Sequence, residues 1–401
     1  MSAFRSVAKE CGMPRRPVFR QILVGALVLL LVAICISCET SAPPTSLPLP
    51  TERPKLTVPS EFELAGLLTA LQDQKVAIDN NVENHLFRNC EVWIASDGIE
   101  VSSSKFENSM VFVDNSSSIV FNQVIFKDLN QYEKATLSIN NSTDVVVENC
   151  QFVDNYIGLG IHSSSVEVVT NRFEGNNGHN ALVIGEGSSV KVTGNYFYGS
   201  FPHAILVLNR EGSAEARVDI TDNLIDQTGE DAIDFEDYRN AAPSNLSNNV
   251  ITNSGWSALV VEYNSWEANI TMENNWIEGT GINWKLPVHP LQLDQFQLGW
   301  GHGILVEDSS KVWVMNNRIL SAAENGIEIK NGRSVVVQGN GINCSQAGIG
   351  AHRYEDASLH RSFSPLAQEN ADGSQVIASS NIIYAAQKDY DVDEWSQSLA
   401  R

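Results

Sequence analysis

Residues 249–277 read NVITNSGWSALVVEYNSWEANITMENNWI and contain one full period of a repeat that runs along most of the chain. The period begins at Asn249 and starts again at Asn275, with an apolar residue two positions after each Asn. Between them lie two short stretches of alternating apolar residues, Ala258–Val261 and Ile270–Met272. Such alternation is typical of short β-strands. One period therefore predicts three short strands and no helix.

A unit of three short strands can bury its apolar face only by stacking on the next unit. We therefore predict an all-β protein, a single-stranded right-handed parallel β-helix of about ten coils over residues 84–385. Asn suits the corner between two strands because it tolerates the left-handed region, and stacked Asn amides can bond from coil to coil. The recurring anchors, mostly 21 to 28 residues apart, are Asn149, Asn171, Asn195, Asn223, Asn249, Asn275, Asn317, Asn340 and Asn381.

By these motifs residues 84–385 resemble the right-handed parallel β-helix repeat proteins. This broad group contains pectate lyases, polygalacturonases and the periplasmic NosD-like proteins. The resemblance implies the fold, but the same scaffold hosts lyases, hydrolases, epimerases and inert fibres, so an activity must be argued from side chains.

The N-terminus has the features of an export signal. A basic stretch ends at Arg20, and the apolar run 22–36 that follows is too short to span a bilayer as a helix. Cys35-Ile36-Ser37-Cys38 resembles a bacterial lipobox, although Cys35 stands where a Leu-like residue is usual. We predict a signal peptide over 1–37, lipidation at Cys38 and an exported protein anchored to a membrane of the bacterial cell envelope. An uncleaved anchor and an ordinary secretory signal are the alternatives.

Three further segments are predicted around the helix. Residues 38–59 are rich in Pro, Ser and Thr and are typical of a disordered tether. Residues 60–83 are predicted to cap the first coil, with a short amphipathic helix over Glu61–Leu71. Residues 386–401 are predicted to cap the last coil, because the ends of a stacked sheet need covering.

Composition restricts the partners. The formal net charge is −22, and the sequence lacks the basic stripe that nucleic-acid binding requires. This acidic composition favours neutral glycans, cations or basic partners. We expect a monomer that binds no nucleic acid. Cys90, Cys150 and Cys344 are expected to be buried without a bridge, because Cys90 and Cys150 occupy equivalent repeat positions with a coil between them, beyond disulfide reach.

Candidate catalytic residues lie on the outer face of the second strand of each coil. The residue after each Ala258–Val261-type strand points outward, and stacking aligns these residues in a column. Glu236 and Glu262 should lie about 5 Å apart at the backbone, close enough to raise one pKa or recruit a cation. One carboxyl group could then act as general acid and the other as base or nucleophile on a glycosidic bond. The column reads His162, Gly185, Leu208, Glu236, Glu262, Glu307, Lys330 and His352.

We take Glu236, Glu262, Glu307, Lys330 and His302 as the candidate catalytic residues. Gly301-His302-Gly303 looks like the Gly-His-Gly motif of polygalacturonases, but the paired aspartates of that family have no counterpart at the right distance. The alternatives are that the charges are solvated on an exposed sheet and that His302 is a turn residue.

The acidic stretch 230–237 is compatible with Ca²⁺, with Asp231, Asp234 and Glu236 as ligands, although no EF-hand or nonapeptide repeat is present. A bound cation is thus an expectation rather than a motif match.

Aromatic and basic residues near two repeat-breaking segments, 278–300 and 352–375, are candidates for substrate binding, because loops that project from a rigid helix often form binding grooves. They could instead pack these loops onto the helix. Our hypothesis is a surface-tethered β-helix that binds or processes carbohydrate, as a polysaccharide lyase or glycoside hydrolase. A non-catalytic envelope adhesin or accessory protein of the NosD-like kind is the alternative. The candidates are Trp266, Trp284, Trp300, His352 and Arg353.

Overall fold

A computed structural model describes residues 52–67, 69–176, 178–209, 215–239, 242–264, 268–281, 301–352, 374–385, 387–392 and 397–400. The described residues form 39 strands and no helix. None of their segments is a helix long and apolar enough to span a membrane.

The strands are short and follow one another closely along the chain. The first thirteen are β1 (Thr69–Gln72), β2 (Lys75–Ile78), β3 (Val82–Glu83), β4 (His85–Arg88), β5 (Glu91–Ile94), β6 (Glu100–Ser102), β7 (Lys105–Glu107), β8 (Met110–Asp114), β9 (Val120–Asn122), β10 (Ile125–Lys127), β11 (Ala135–Asn140), β12 (Val145–Glu148) and β13 (Gln151–Val153). The next thirteen are β14 (Ile157–His162), β15 (Ser165–Val169), β16 (Arg172–Glu174), β17 (Leu182–Ile184), β18 (Ser189–Thr193), β19 (Tyr196–Tyr198), β20 (Ile205–Leu208), β21 (Val218–Thr221), β22 (Leu224–Thr228), β23 (Ile233–Glu236), β24 (Ser244–Ser247), β25 (Val250–Ser254) and β26 (Leu259–Glu262). The last are β27 (Ile270–Glu273), β28 (Trp276–Thr280), β29 (Ile304–Glu307), β30 (Val312–Met315), β31 (Arg318–Ala322), β32 (Ile327–Lys330), β33 (Val335–Gln338), β34 (Gly341–Cys344), β35 (Ala347–His352), β36 (Gln375–Ser379), β37 (Ile382–Ala385), β38 (Lys388–Val392) and β39 (Gln397–Ala400).

Every third strand belongs to the same sheet. The first sheet starts with β1, the second with β2 and the third with β3, and in the described chain each sheet has 13 strands that pair in parallel with the coils before and after. The prediction of a parallel β-helix is confirmed. The count of about ten coils was too low, because the coils before the one that contains Asn149 carry His85, Ser104 and Val124 at the position of Asn171. In the coil of Asn149 the position of Asn171 is occupied by Cys150, and Asn149 lies one residue earlier.

The interior is built of aligned apolar columns. On the first sheet a stack of Phe side chains runs from coil to coil with ring centroids 4.6 to 5.2 Å apart. From Ile225 onward the same column continues with Ile. Stacking of identical positions thus buries a core that no single coil could form. The Phe column is Phe87, Phe106, Phe126, Phe152, Phe173 and Phe197.

An Asn ladder follows the corner before the first sheet. Each buried Asn donates from Nδ2 to Oδ1 of the Asn in the next coil, at 3.0 Å from Asn249 to Asn275. The predicted hydrogen bonding between stacked Asn amides is confirmed. The left-handed conformation, however, belongs to the preceding residue, such as Asn248 (φ 57°) or Asn274 (φ 57°). The corner therefore divides the two roles between neighbouring residues, one for the turn and one for the amide ladder.

The predicted capping helix over Glu61–Leu71 was wrong. Residues 61–67 form no regular structure, and β1 pairs in parallel with β4 as the first strand of the first sheet. The segment before β1 lies along the outside of later coils, where Gln151 Nε2 donates to the Phe62 carbonyl oxygen at 2.9 Å. The apolar spacing also suits a strand, and pairing with β4 satisfies backbone groups that a short terminal helix would leave to water. At the other end, parallel pairing continues through β39.

The cysteines Cys90, Cys150 and Cys344 are free and buried, as predicted. Cys90 and Cys150 do not share a repeat position. Cys90 precedes β5 of the second sheet, whereas Cys150 precedes β13 of the first sheet. Different corners and intervening coils separate the two thiols.

Candidate functional site

The outward column of the second sheet is formed as predicted. The register pairs Glu236 with Glu262, Glu262 with Glu307, Glu307 with Lys330, and Lys330 with His352. Because side chains alternate along a strand, the buried neighbours of these residues, such as Phe235 and Val261, fix their outward direction. Four carboxylate or amine side chains are thus held on consecutive coils by the core beneath them.

Part of this column lines a cavity of about 420 Å³ on the outer face of the second sheet, which we call the acidic cavity. Six carboxyl groups line it, together with an imidazole and the aromatic side chains of Trp256 and Tyr263. None of its described lining residues is Lys or Arg. The acidic residues are Glu230, Asp231, Asp234, Glu236, Glu262 and Glu307.

Burial, together with repulsion among these carboxyl groups, raises several of their pKa values. Burial raises the pKa of Asp231 well above its usual range, and the charges on Glu262 and Glu230 add to the effect. The pKa of Asp234 is raised by burial and by the charges on Asp231 and Glu236. The pKa of Glu262 is raised by burial and by the charges on Asp234 and Glu307. Burial alone raises the pKa of Glu230 to about 7.

His203 lies in the acidic cavity and was missed by the sequence analysis. It precedes Ala204, one coil before Asp231, and its Nδ1 lies 3.9 Å from Asp231 Oδ2. Its Nε2 lies 3.9 Å from both Asp234 Oδ2 and Glu230 Oε2. Burial lowers the pKa of His203 to about 4. The sequence could have indicated His203 by its position in the repeat. Like Asp231 and His302, it directly precedes the small residue that comes before a strand of the second sheet.

The three predicted metal ligands divide between two neighbouring groups. Asp231 and Asp234 lie with His203, and one donor atom of each lies within 4.8 Å of the others. Asp234 also forms such a group with Glu236 and Glu262. Asp234 is therefore the carboxylate common to both groups.

The other two predicted catalytic residues, His302 and Lys330, lie in a second cluster on the following coils. This second cluster consists of His302, Glu324, Glu328, Lys330 and His352. Glu328 is 2% exposed at its side chain and contacts His352 Nδ1 at 2.7 Å, while His302 Nε2 lies 3.3 Å from Glu324 Oε2. Burial lowers the pKa of His302 to about 4. Burial also lowers the pKa of Lys330, against the attraction of Glu328 and Glu307.

Glu328 responds differently from the carboxyl groups of the acidic cavity. Burial by itself raises its pKa, but the hydrogen bond with His352 and the charges of His302 and His352 outweigh it, so that the pKa is lowered. Asn325 Nδ2 also donates to Glu328 Oε2, at 2.5 Å. The structure thus brings Glu236, Glu262 and Glu307 together at the cavity, and places His302 and Lys330 in a separate, internally compensated ion cluster.

Of the predicted substrate-binding residues only His352 lies in the described chain, where it is half-buried against Glu328. Cys38 and the aromatic and basic candidates of the two repeat-breaking segments lie outside the described residues. The latter are Trp266, Trp284, Trp300 and Arg353.

The fold defines a right-handed parallel β-helix protein. Residues 67–216 match the family described as right handed beta helix region. Residues 209–361 match the family described as periplasmic copper-binding protein (NosD). The second match includes the second cluster and every described lining residue of the acidic cavity except His203.

Among solved structures, the chain is similar to the periplasmic alginate epimerase AlgG, with 12% identity, a TM-score of 0.51 and coverage of 79% of this chain and 76% of that one. It is also similar to the alginate lyase AlyF-OU02, with 15% identity, a TM-score of 0.51 and coverage of 79% of both chains. At these identities the likeness concerns the fold alone. No curated protein sequence matches the chain.

Proposed function

We propose that this protein is an exported envelope protein that binds and processes a polysaccharide in the acidic cavity. The observation that carries the proposal is the cavity itself. It places carboxyl pairs and two aromatic side chains, Trp256 and Tyr263, on the outer face of a rigid sheet. Carboxylates can accept hydrogen bonds from sugar hydroxyl groups, and an aromatic ring offers an apolar face on which a sugar can pack.

The carboxyl groups suit acid and base chemistry at a glycosidic bond. Oxygen atoms of Asp234, Glu236 and Glu262 lie within 4.8 Å of one another. Carboxyl pairs about 5 to 5.5 Å apart are typical of retaining glycosidases, whereas inverting enzymes separate them by roughly 6.5 to 9.5 Å. We therefore assign Glu236 and Glu262 as the reacting pair, one as general acid and base and the other as nucleophile, because the register places them directly opposite each other on adjacent coils.

Charge favours an uncharged substrate. Six carboxyl groups line the cavity and its described lining includes no Lys or Arg, so an anionic polymer would be repelled from it. Neutral glycans fit this field, and so do glycans that carry amino groups.

The proposal is tested with a glycan array of neutral, amino and acidic glycans, by measuring binding and release of products. We expect binding to neutral or amino glycans. Glu236→Gln and Glu262→Gln should each abolish product release without lowering the melting temperature. Glu167→Gln, an exposed carboxylate on β15 of the third sheet, is the matched control and should retain activity. Full activity in both cavity variants would refute the assignment.

A non-catalytic envelope protein is the second candidate, because the NosD match over residues 209–361 includes the described lining residues of the cavity other than His203. In that case the array would show binding without products, or no binding at all, and protein partners would be captured instead. Binding without products that depends on Trp256 and Tyr263 would favour this candidate.

Export and anchoring are part of the proposal. The apolar run over 22–36 and Cys38 support cleavage and lipidation, and the NosD description places that family in the periplasm. In cells that express the full chain, Cys38→Ser should move the protein from the membrane fraction to the soluble fraction. Unchanged membrane association of this variant would contradict a lipid anchor at Cys38.

A further inference from the structure

We propose that His203, Asp231 and Asp234 form a binding site for a divalent first-row transition-metal cation such as Zn²⁺. The donor atoms of the three side chains lie within 4.8 Å of one another, and His203 Nε2 lies 3.9 Å from Asp234 Oδ2. In tetrahedral Zn²⁺ sites, metal–ligand bonds of about 2.0 to 2.2 Å place neighbouring donor atoms roughly 3.4 Å apart. Small side-chain rotations would therefore close the group around one ion.

A carboxylate oxygen in this group has no partner in the described chain. The Asp234 side chain is 6% exposed, and its Oδ1 is buried without a hydrogen bond. Buried polar atoms are nearly always satisfied by a donor, a water or an ion. The Asp234 side chain belongs both to the group with His203 and Asp231 and to the group with Glu236 and Glu262, so this buried carboxylate lies within the cluster.

The charge balance also favours a cation. Six carboxyl groups line the acidic cavity, and no Lys or Arg among the described lining residues compensates them. In the second cluster, by contrast, Lys330 lies close enough to act on Glu328 electrostatically, and His352 contacts it directly. The acidic cavity has more carboxyl groups than the second cluster and no Lys or Arg among its described lining residues, and a bound metal ion would supply positive charge there.

The donor types select the kind of metal. Ca²⁺ and Mg²⁺ are hard cations that take oxygen ligands, whereas an imidazole nitrogen suits Zn²⁺, Ni²⁺ or Cu²⁺. The acidic residues alone led us to expect Ca²⁺. Because His203 adds an imidazole nitrogen to the group, we expect a transition-metal cation instead. Copper(I), which prefers sulfur, does not fit this group, because the described cysteines are buried in the core of other coils.

Two neighbours can complete the coordination. Glu236 and Glu262 share the second group with Asp234, so either carboxylate can provide a fourth ligand. The inference does not rest on a carbohydrate function, because metal binding is measured without any glycan.

The test is calorimetric titration of the full chain, purified without an affinity tag and treated with EDTA, against Zn²⁺ and Ca²⁺. We expect one Zn²⁺ per chain and no competition from excess Ca²⁺. His203→Gln and Asp234→Asn should each weaken Zn²⁺ binding by at least about tenfold, as loss of one ligand requires. The matched control is His162→Gln, an exposed histidine on β14 of the same sheet, which should bind Zn²⁺ like the original protein.

A second measurement guards against misfolded variants. Co²⁺ added to the metal-free protein should give visible ligand-field absorption that is lost in His203→Gln, while circular dichroism shows the same strand content in all variants. Undiminished Zn²⁺ binding by His203→Gln, absence of Zn²⁺ binding by the original protein, or displacement of Zn²⁺ by equimolar Ca²⁺ would each overturn the proposal. Failure of the glycan assay would leave these outcomes unaffected.

Discussion

The early coils, residues 85–208, and the later coils, residues 224–352, have the same backbone register but different residues at aligned positions. Inside, Phe152 and Phe173 of the early coils give way to Ile251 and Ile277 in the same column. Outside, on one column of the second sheet, the early coils carry Gly160, Val183 and Leu206, and the later coils carry Asp234, Val260, Leu305, Glu328 and Gly350.

This difference distinguishes inward positions, which stabilise the fold, from outward positions, which can form a functional site. Inward positions need only an apolar side chain of suitable size, so Phe and Ile can replace each other when the whole column changes. Outward positions need no particular side chain for folding, yet in the later coils they carry buried ionisable groups that cost folding free energy. Such groups are expected where a site is built rather than where a core is packed.

The largest expected effect concerns the Phe stack of the early coils. Phe152→Ala removes ring contacts with Phe126 (4.8 Å) and Phe173 (4.6 Å) and leaves a cavity, so we expect a loss of about 3 to 5 kcal/mol in the free energy of unfolding. Ile277→Ala, in the same column of the later coils, should cost about 1 kcal/mol less, because no ring stacking is lost. Urea unfolding followed by circular dichroism measures both. An equal loss would show that stacking does not distinguish the two regions.

The next largest expected loss of stability concerns the Asn ladder, which begins in the early coils and continues through the later ones. Oδ1 of Asn249 accepts from Asn223 N at 3.1 Å and Asn223 Nδ2 at 3.0 Å, and its Nδ2 donates to the Ile220 carbonyl at 2.9 Å. Asn249→Ala leaves these buried groups unsatisfied, and we expect a loss of about 2 to 4 kcal/mol by urea unfolding. Asn248→Gly is the control, since glycine accepts the left-handed φ there, and it should change stability little. A similar loss in both variants would refute the division of roles at the corner.

The buried His302 of the second cluster predicts that the later coils lose stability in acid. The folded-state pKa of His302 is lowered to about 4, below its ordinary value of 6.5, so the unfolded chain binds the proton more readily. The stability from this group is therefore present above pH 6.5 and is lost as the pH falls towards 4. We expect the original protein to lose about 2 to 3 kcal/mol more than His302→Gln between pH 7 and pH 4. Identical pH profiles in thermal unfolding would contradict the lowered pKa.

The smallest effect compares two glycines of one column. A Cβ at Gly350 would lie 2.0 Å from Glu328 Oε2, whereas at Gly160 it would meet only the Ala135 Cβ, at 3.3 Å. Gly350→Ala should therefore destabilise the protein by about 1 to 3 kcal/mol by displacing Glu328 from its partners. Gly160→Ala should change stability by less than about 1 kcal/mol, because the clash is slight and alanine lowers the entropy of the unfolded chain. Equal thermal shifts for the two variants would show that the ion cluster does not constrain Gly350.

Much of this arrangement could be predicted from the sequence. The period from Asn249 to Asn275 contains three alternating stretches and no helical pattern, and the register confirms the resulting column from Glu236 to His352. The coils before the one that contains Asn149 were harder to count because His85, Ser104 and Val124 replace the anchor Asn. The first strand was mistaken for a helix because the apolar spacing around Leu71 fits either structure, and only pairing with β4 decides between them.

The sequence by itself determined the β-helix, because a short strand period can bury its apolar residues only by stacking, and it determined which residues share a column. Only the tertiary structure decided how the columns meet. His203 and Asp231 lie 28 residues apart in the chain, yet the coil brings Nδ1 and Oδ2 to 3.9 Å of each other, with Asp234 beside both. Whether the pKa of a carboxyl group is lowered by histidine and lysine neighbours, as for Glu328, or raised by burial and by other carboxylates, as for Asp234, depends on side-chain burial and direction across adjacent coils, which no repeat period specifies.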